Sequence, residues 1–147
     1  MDNKRIVGKI LIDKNLAIQS KGFSTYLPLG RPEILAEFLD QWQVDEILLL
    51  DRTASIRDEV IDADIISTVV EVCRSPLTVG GGIRSVKQAE VLVNKGADRI
   101  AINTAFHDDS NLVTQLSAML GRQAVVASLD FIMQNQQAQV YDHKSKT

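Results

Sequence analysis

The chain has 147 residues, 45% of them hydrophobic and 24% charged, and a formal net charge of −3. That length suffices for one domain with a sizeable core, and the weak negative charge excludes a general attraction to nucleic acid or to an acidic membrane surface. The N-terminal MDNKRIVGK lacks the uninterrupted apolar core of a signal peptide, and no apolar stretch approaches the ~20 residues that span a bilayer. Cys73 is the single cysteine, so an internal disulfide and a cysteine-based metal cluster are excluded. Flanked by Val69, Val70 and Val72, it reads as a packed helical thiol rather than a nucleophile. The expectation is a cytoplasmic α/β protein.

Short β-branched apolar runs alternate with longer amphipathic segments along the chain. RIVGKILI, from Arg5 to Ile12, predicts the first strand, which runs into DKNLAIQS, and no further element is predicted before Pro32. Pro32 then opens a helix at the position where proline is best tolerated, with Ile34, Leu35, Phe38 and Leu39 as its apolar face. EILLLD, Glu46 to Asp51, predicts the second strand. A helix over about Ile61 to Cys73 presents Ile65, Val69 and Val72 on one face, and LTV, Leu77 to Val79, is the third strand. Ser85 with Gln88 fits a capping box for the next helix, which ends at Gly96. RIAIN, Arg99 to Asn103, predicts the fourth strand, and a helix follows over about Ser110 to Leu120, closed by Gly121. AVVASLD, Ala124 to Asp130, is the fifth strand, and the remainder to Thr147 reads as a hairpin or loop with a polar tail.

Four strand–helix units and a fifth strand imply parallel strands with crossover helices. A doubly wound sheet and a TIM barrel both satisfy that order. Dinucleotide binding is disfavoured, because no GxGxxG turn follows the first strand. A full barrel needs roughly 200 residues or more. The predicted architecture is therefore a single α/β domain over 1–147, the N-terminal half of a (βα)8 TIM-type barrel. A half-barrel exposes two sheet edges and an apolar inner face, so a homodimer, a pairing with a second half, or aggregation is expected.

In barrels of this type the C-terminal strand ends face the site and the N-terminal ends form the floor. Asp51, Gly80-Gly81-Gly82, Asn103-Thr104 and Asp130 fall at strand ends, whereas Arg5, Glu46 and Arg99 fall at strand starts. Three glycines let backbone N–H groups approach an oxyanion closely, although a sharp turn alone would also use them. With INTA one strand later, the pair points to a phosphate held between the glycine loop and Asn103-Thr104, where a helix N-terminus would add a favourable dipole. Asp130 shares a strand face with Ser128 and Val126 and suits general acid or base work; a helix N-cap or salt-bridge partner suits the position equally. Asp51 carries the same ambiguity. Arg5, Glu46 and Arg99 read either as a floor ring or as three unrelated solvated charges, and the residues alone favour the latter. His107 and His143 lack ligand neighbours, so no metal site and no cofactor is expected. Trp42 and Tyr26 read as packing residues.

VDEILLLDRTAS, SPLTVGGGIRSV, GADRIAINTA and VVASLD, in that order, resemble the cyclase subunit of imidazole glycerol phosphate synthase, nearly gap-free from Arg5 to about Asp130. LTVGGGIR with the INTA turn is the most specific part; the sister isomerase of the preceding histidine-pathway step shares the fold and the glycines but usually lacks the asparagine turn. The resemblance implies a barrel that takes ammonia from a glutaminase partner and combines it with a phosphoribulosyl-formimino ribonucleotide. The products are imidazole glycerol phosphate and an aminoimidazole carboxamide ribonucleotide. By that resemblance Asp130 is one of two catalytic aspartates, and Asp51 is a carboxylate near the site. Gly81, Gly82, Asn103 and Thr104 form one of two phosphate sites. Arg5, Glu46 and Arg99 belong to a charged gate for ammonia, and Asp98 lies on the glutaminase-facing side.

Departures from the family pattern are specific. Leu11 stands where the first catalytic aspartate belongs, and leucine exchanges no protons; Asp13 lies two residues on, on the same strand face. Gln19 replaces a functional lysine, and Arg99 replaces a lysine, which keeps the charge but changes its shape. The second phosphate site and the fourth gate residue fall in the second half of the barrel. A paralogous group similar to this cyclase works with an amidotransferase in making amidino-modified sugars of surface polysaccharides, and these departures resemble that group too.

Overall fold

The computed structural model describes residues 4–21, 25–103, 105, 109–134 and 136–140. In chain order the elements are β1 (Val7–Asp13), β2 (Leu16–Lys21), β3 (Thr25–Gly30), α1 (Pro32–Gln41), β4 (Glu46–Asp51), α2 (Ala63–Val72), β5 (Leu77–Gly80), α3 (Val86–Asn94), β6 (Arg99–Ile102) and α4 (Ser110–Leu120). A 3₁₀ turn (Arg122–Ala124) leads into β7 (Val125–Ala127), and β8 (Phe131–Gln134) pairs with β9 (Gln137–Val140) as a separate hairpin.

Seven strands form one sheet in the order β3-β2-β1-β4-β5-β6-β7. From β1 through β4, β5, β6 and β7 every pairing is parallel. The order of these parallel strands follows the chain without the reversal that marks a doubly wound sheet. The helices pack on one face only: Ile10, Ile12, Ile47, Leu49, Leu77, Val79, Ile100 and Ile102 of the strands share a core with Ala36, Ile66, Val69, Ala89, Leu92 and Leu116 of the helices. Single-sided winding of parallel strands is the TIM-barrel pattern, and the chain has a partial (βα) barrel fold.

Register then assigns the opposite face. Lys9 pairs with Leu48, Leu48 with Thr78, and Thr78 with Arg99, forming one inner row. Leu11, Leu50, Gly80, Ala101 and Val126 form the next row toward the strand ends. Because side chains alternate faces, the core residues and these inner rows never compete for one position.

Two features differ from the sequence expectation. Between the first strand and Pro32, where no element is predicted, β2 folds back on β1 across Lys14-Asn15, and β3 pairs with β2. That turn lacks the Asn-Gly or Gly-X signature of short hairpins, and Pro28 argues against a strand except on an edge, where β3 lies. On α1, Ile34 and Phe38 are exposed, and the helix instead packs through Pro32, Ala36, Leu35 and Leu39. Trp42, expected to pack, is 75% exposed at the end of that helix. On α2 the buried stripe is Ile65, Ile66 and Val69, with Val72 exposed.

Caps fix the remaining helix ends. Ser85 accepts from the Gln88 N–H at 3.2 Å, while the Gln88 side chain accepts from the Arg84 N–H at 2.8 Å, one residue earlier than a reciprocal box would require. Cys73 is buried at the end of α2, and burial pushes its thiol up, with the Asp40 and Asp98 charges adding to the effect. Such a thiol is a poor nucleophile.

Asp40, near the end of α1, clamps the loop between α2 and β5. Its Oδ1 accepts from the Ser75 hydroxyl at 2.7 Å and from the backbone N–H groups of Arg74 and Ser75 at 2.9 and 2.7 Å. The Ser75 hydroxyl first, and then the two N–H groups, hold the Asp40 carboxyl below the ordinary aspartate value of 3.8. A depressed folded value stabilises fully above the unfolded pKa and is lost as pH falls through the folded one. Stability should therefore fall more steeply in acid for the wild-type chain than for Asp40→Asn, with the difference confined to pH below about 4. Urea midpoints measured between pH 2.5 and 7 test this; parallel curves would remove Asp40 from the account.

Candidate functional site

A cavity of about 410 Å³ opens at the C-terminal ends of the parallel strands. Leu11 of β1 and Leu50 of β4 line its apolar side, and Gly81, Gly82, Asn103 and Asp130 line the side formed by β5, β6 and β7. The ladder continues past β7, where the Ser128 N–H donates to Ile102 at 2.8 Å. This brings the following segment alongside Asn103, whose Nδ2 donates to Asp130 Oδ2 at 2.9 Å. A carboxylate and a carboxamide 27 residues apart thus meet in one cavity wall. Thr104, His107 and His143 lie outside the described residues. Further on, the leading N–H groups of α4 are taken by its own cap, since Asp109 accepts from Asn111 and Leu112 at 2.9 and 3.2 Å.

The glycine loop is shaped by what lies behind it. Gly82 has φ +66°, and a Cβ there would stand 1.8 Å from the Glu59 carbonyl oxygen; at Gly81, φ is +133° and a Cβ would come within 2.7 Å of the Asp51 carbonyl oxygen. Only glycine fits either backbone. The segment it packs against is organised by Asp51, which is buried. Asp51 Oδ1 accepts from the N–H groups of Thr53 and Ala54 at 2.8 and 2.9 Å, and Oδ2 accepts from Arg57 at 2.9 Å. Arg57 also donates to Glu59 at 2.7 Å and to the Thr53 hydroxyl. The Glu59 and Asp51 contacts, in that order, raise the Arg57 pKa. No local signal marked Arg57, six residues beyond its partner.

At the other end of the strands, Arg5, Glu46 and Arg99 are not the unrelated solvated charges that the residues alone favoured. Glu46 is 7% exposed. Its Oε2 accepts from Arg5 at 3.1 Å and from Arg99 at 2.8 Å, and its Oε1 accepts from the Thr78 hydroxyl at 2.5 Å. Register explains the meeting: Glu46 lies on the inner face two residues before Leu48, whose row holds Thr78 and Arg99. Thr78 is a member that sequence reasoning missed. Asp98 joins a different pairing at the start of β5, where its Oδ2 accepts from the Leu77 N–H at 2.8 Å.

Asp13 does not take the position of an aspartate at Leu11. Leu11 lines the cavity, while the Asp13 oxygens accept from Arg52 at 3.1 Å and from the Thr53 hydroxyl at 3.0 Å. Gln19 is exposed on β2. Tyr26, expected only to pack, lies in β3 under the Arg52 guanidinium, 3.8 Å from carbon to ring centroid. Among the described residues no group of three or more His, Cys, Asp or Glu side chains is arranged to hold a metal, and no helix is long and apolar enough to cross a membrane.

Removing the carboxylate from the floor cluster should be felt in stability. Glu46→Ala leaves two arginines unopposed and Thr78 without its acceptor. Because both arginines keep access to water, the loss should be about 1–3 kcal/mol, with Glu46→Gln losing less. Urea unfolding at pH 7 measures it, and an unchanged midpoint in the alanine variant would show the cluster to be energetically idle.

Comparison with known proteins joins these two ends of one sheet to a lineage. Residues 5–147 match the family model described as "Histidine biosynthesis protein". A putative imidazole glycerol phosphate synthase subunit hisF2 from Vibrio vulnificus is 34% identical over 140 residues, 95% of this chain and 52% of that protein. The imidazole glycerol phosphate synthase subunit HisF of a Thermotoga species is 33% identical over 127 residues, 86% of this chain and 50% of the relative. That of Methanocaldococcus jannaschii is 35% identical over 130 residues, 88% and 48% respectively. The chain spans about half the length of these curated relatives. With its parallel strands, its one-sided helices and a family match across nearly its whole length, the chain belongs to the histidine biosynthesis protein family.

Proposed function

We propose that the chain serves as a cyclase-type subunit of an imidazole glycerol phosphate synthase, acting in the cytoplasm with a glutaminase partner. The observation that carries this reading is the Asn103–Asp130 pair in a cavity wall shared with Gly81 and Gly82. In the proposed reaction, ammonia joins a phosphoribulosyl-formimino ribonucleotide, and imidazole glycerol phosphate, an aminoimidazole carboxamide ribonucleotide and one water leave. One substrate phosphate binds at Gly81, Gly82, Asn103 and Thr104. Asp130 moves a proton as general acid or base, and the Asn103 amide orients its carboxylate. Asp51, both of whose oxygens are engaged, acts as a positioning residue that holds the segment behind the glycine loop. Arg5, Glu46 and Arg99 form the gate for ammonia at the floor, and Asp98 lies on the glutaminase-facing side.

Ammonia-dependent turnover of the formimino ribonucleotide by the purified chain tests this reading. Asp130→Asn should lower the rate by about 10²- to 10⁴-fold. Soluble, folded wild-type protein without turnover would sink the catalytic assignment.

A second reading is favoured by one observation: an apolar Leu11 lines the cavity, and Asp13 is committed to Arg52 and Thr53. On that reading the chain is a paralogous subunit that binds phosphate and an amidotransferase without performing the cyclase step. Leu11→Asp separates the two. If a missing second carboxylate is what limits the chain, the variant gains turnover while phosphate affinity stays within about twofold, a change of roughly 0.4 kcal/mol; an inactive variant that still binds phosphate supports the paralogous role.

A further inference from the structure

The hairpin side of the mouth carries a cation whose placement neither the fold nor the proposed chemistry uses. Arg52 follows β4 and its side chain is 27% exposed. One face of its guanidinium lies on the Tyr26 ring, 3.8 Å to the centroid, and Nη1 donates to Asp13 Oδ2 at 3.1 Å. Asp13 is itself fixed through its other oxygen by the Thr53 hydroxyl. A planar cation gripped by a ring and a carboxylate has lost most of its rotational freedom before any ligand arrives, which lowers the entropic penalty of binding. Among the described residues no hydrogen bond engages Nε or Nη2. Arg52 and Tyr26 both line the cavity, as does Ser20, the register partner of Tyr26 across β2 and β3.

Charge is divided across this cavity. Asp51 on β4 and Arg84 beside the glycine loop also line it, but they are paired with Arg57 and Asp58; of the other charged groups, Asp109 and Asp130 lie on the β6–β7 side, whereas Lys9 and Arg52 lie on the side of β1, β4 and the hairpin. Lys9 makes no ion pair among the described residues, and Asp13 engages a single nitrogen of Arg52. An anionic group is favoured on the hairpin side.

We propose that Arg52, with Ser20 beside its Tyr26 platform, forms an oxyanion subsite for a phosphoryl or carboxylate group of the ligand. The unengaged Nε–Nη2 edge has the fork geometry that binds two oxygens of one anion. The subsite is separate from the glycine loop, so a ligand with two anionic ends would span the cavity from Gly82 to Arg52. The inference rests on this cavity being a ligand site and not on phosphate binding at the glycine loop.

Titration of ¹⁵N-labelled protein tests it, following the Arg52 Nε–H resonance, assigned by its disappearance in Arg52→Lys, and the Ser20 amide. Inorganic phosphate and acetate are added separately, with chloride at matched ionic strength as control. A saturable shift of both signals with phosphate or with acetate is expected, and whichever anion produces it identifies the oxyanion. The shift should persist in Asn103→Ala. Arg52→Lys, which keeps a cation for Asp13, should weaken the response of Ser20 about tenfold or more. Equal shifts with chloride, no shift in well-dispersed folded protein, or a response that vanishes in Asn103→Ala would each overturn the subsite. A response at Arg52 without one at Gly82 and Asn103 would leave the subsite standing and remove the glycine-loop phosphate site instead.

Discussion

Parallel strands held in register divide the sheet between two environments, and most of what this chain does follows from that division. Ile47, Leu49, Val79 and Ile100 face the helices and are fully buried, while Lys9, Leu48, Thr78 and Arg99 line up on the other face. The hydrophobic stabilisation of the fold is concentrated on the helix side. The inner face carries the apolar row of Leu11, Leu50, Ala101 and Val126, with polar and charged groups toward its two ends, where a ligand can meet them.

Along the strand axis the same face is polar at both ends, but the two ends solve the problem of a buried carboxylate differently. Glu46 collects two guanidinium groups and a hydroxyl, so its desolvation is offset by charge-assisted hydrogen bonds. Asp51 is satisfied by two backbone N–H groups and one arginine from its own loop, which turns a flexible connection into the fixed backing that Gly81 and Gly82 require. Asp130 has the Asn103 amide against one oxygen. The carboxylate proposed for chemistry thus meets a carboxamide from the neighbouring strand end, while Glu46 and Asp51 are tied to arginines.

How much of this was legible in the sequence depended on the range of the cause. The parallel strands are continuous runs such as EILLLD, and the Ser85 cap acts on a residue three positions away; both causes are local. The Glu46 cluster joins residues 41 and 53 positions apart, so it exists only once register is set, and end-of-strand charges taken singly looked solvated. The β2–β3 hairpin was missed because an unmarked Lys14-Asn15 turn and Pro28 both argue against strands, and an edge position overrides that argument. On α1, the apolar Ile34 and Phe38 obscured the face that packs, since hydrophobicity alone does not say which of two stripes meets the sheet. Strand-end positions marked the glycine-loop and Asp130 candidates and the family resemblance supplied their roles; Arg57, which braces the backing of the glycine loop through Asp51, carries no pattern that spacing could reveal.

Leu11 has a wider consequence. It sits half-buried on the inner face, between Ile10 and Ile12, which carry the core. Exchanging that leucine for a carboxylate, or the reverse, opens no void among the helices. The cavity wall at this position and the core behind the sheet are thus set by different residues, so the lining can change in chemistry while the packing against the helices stays as it is.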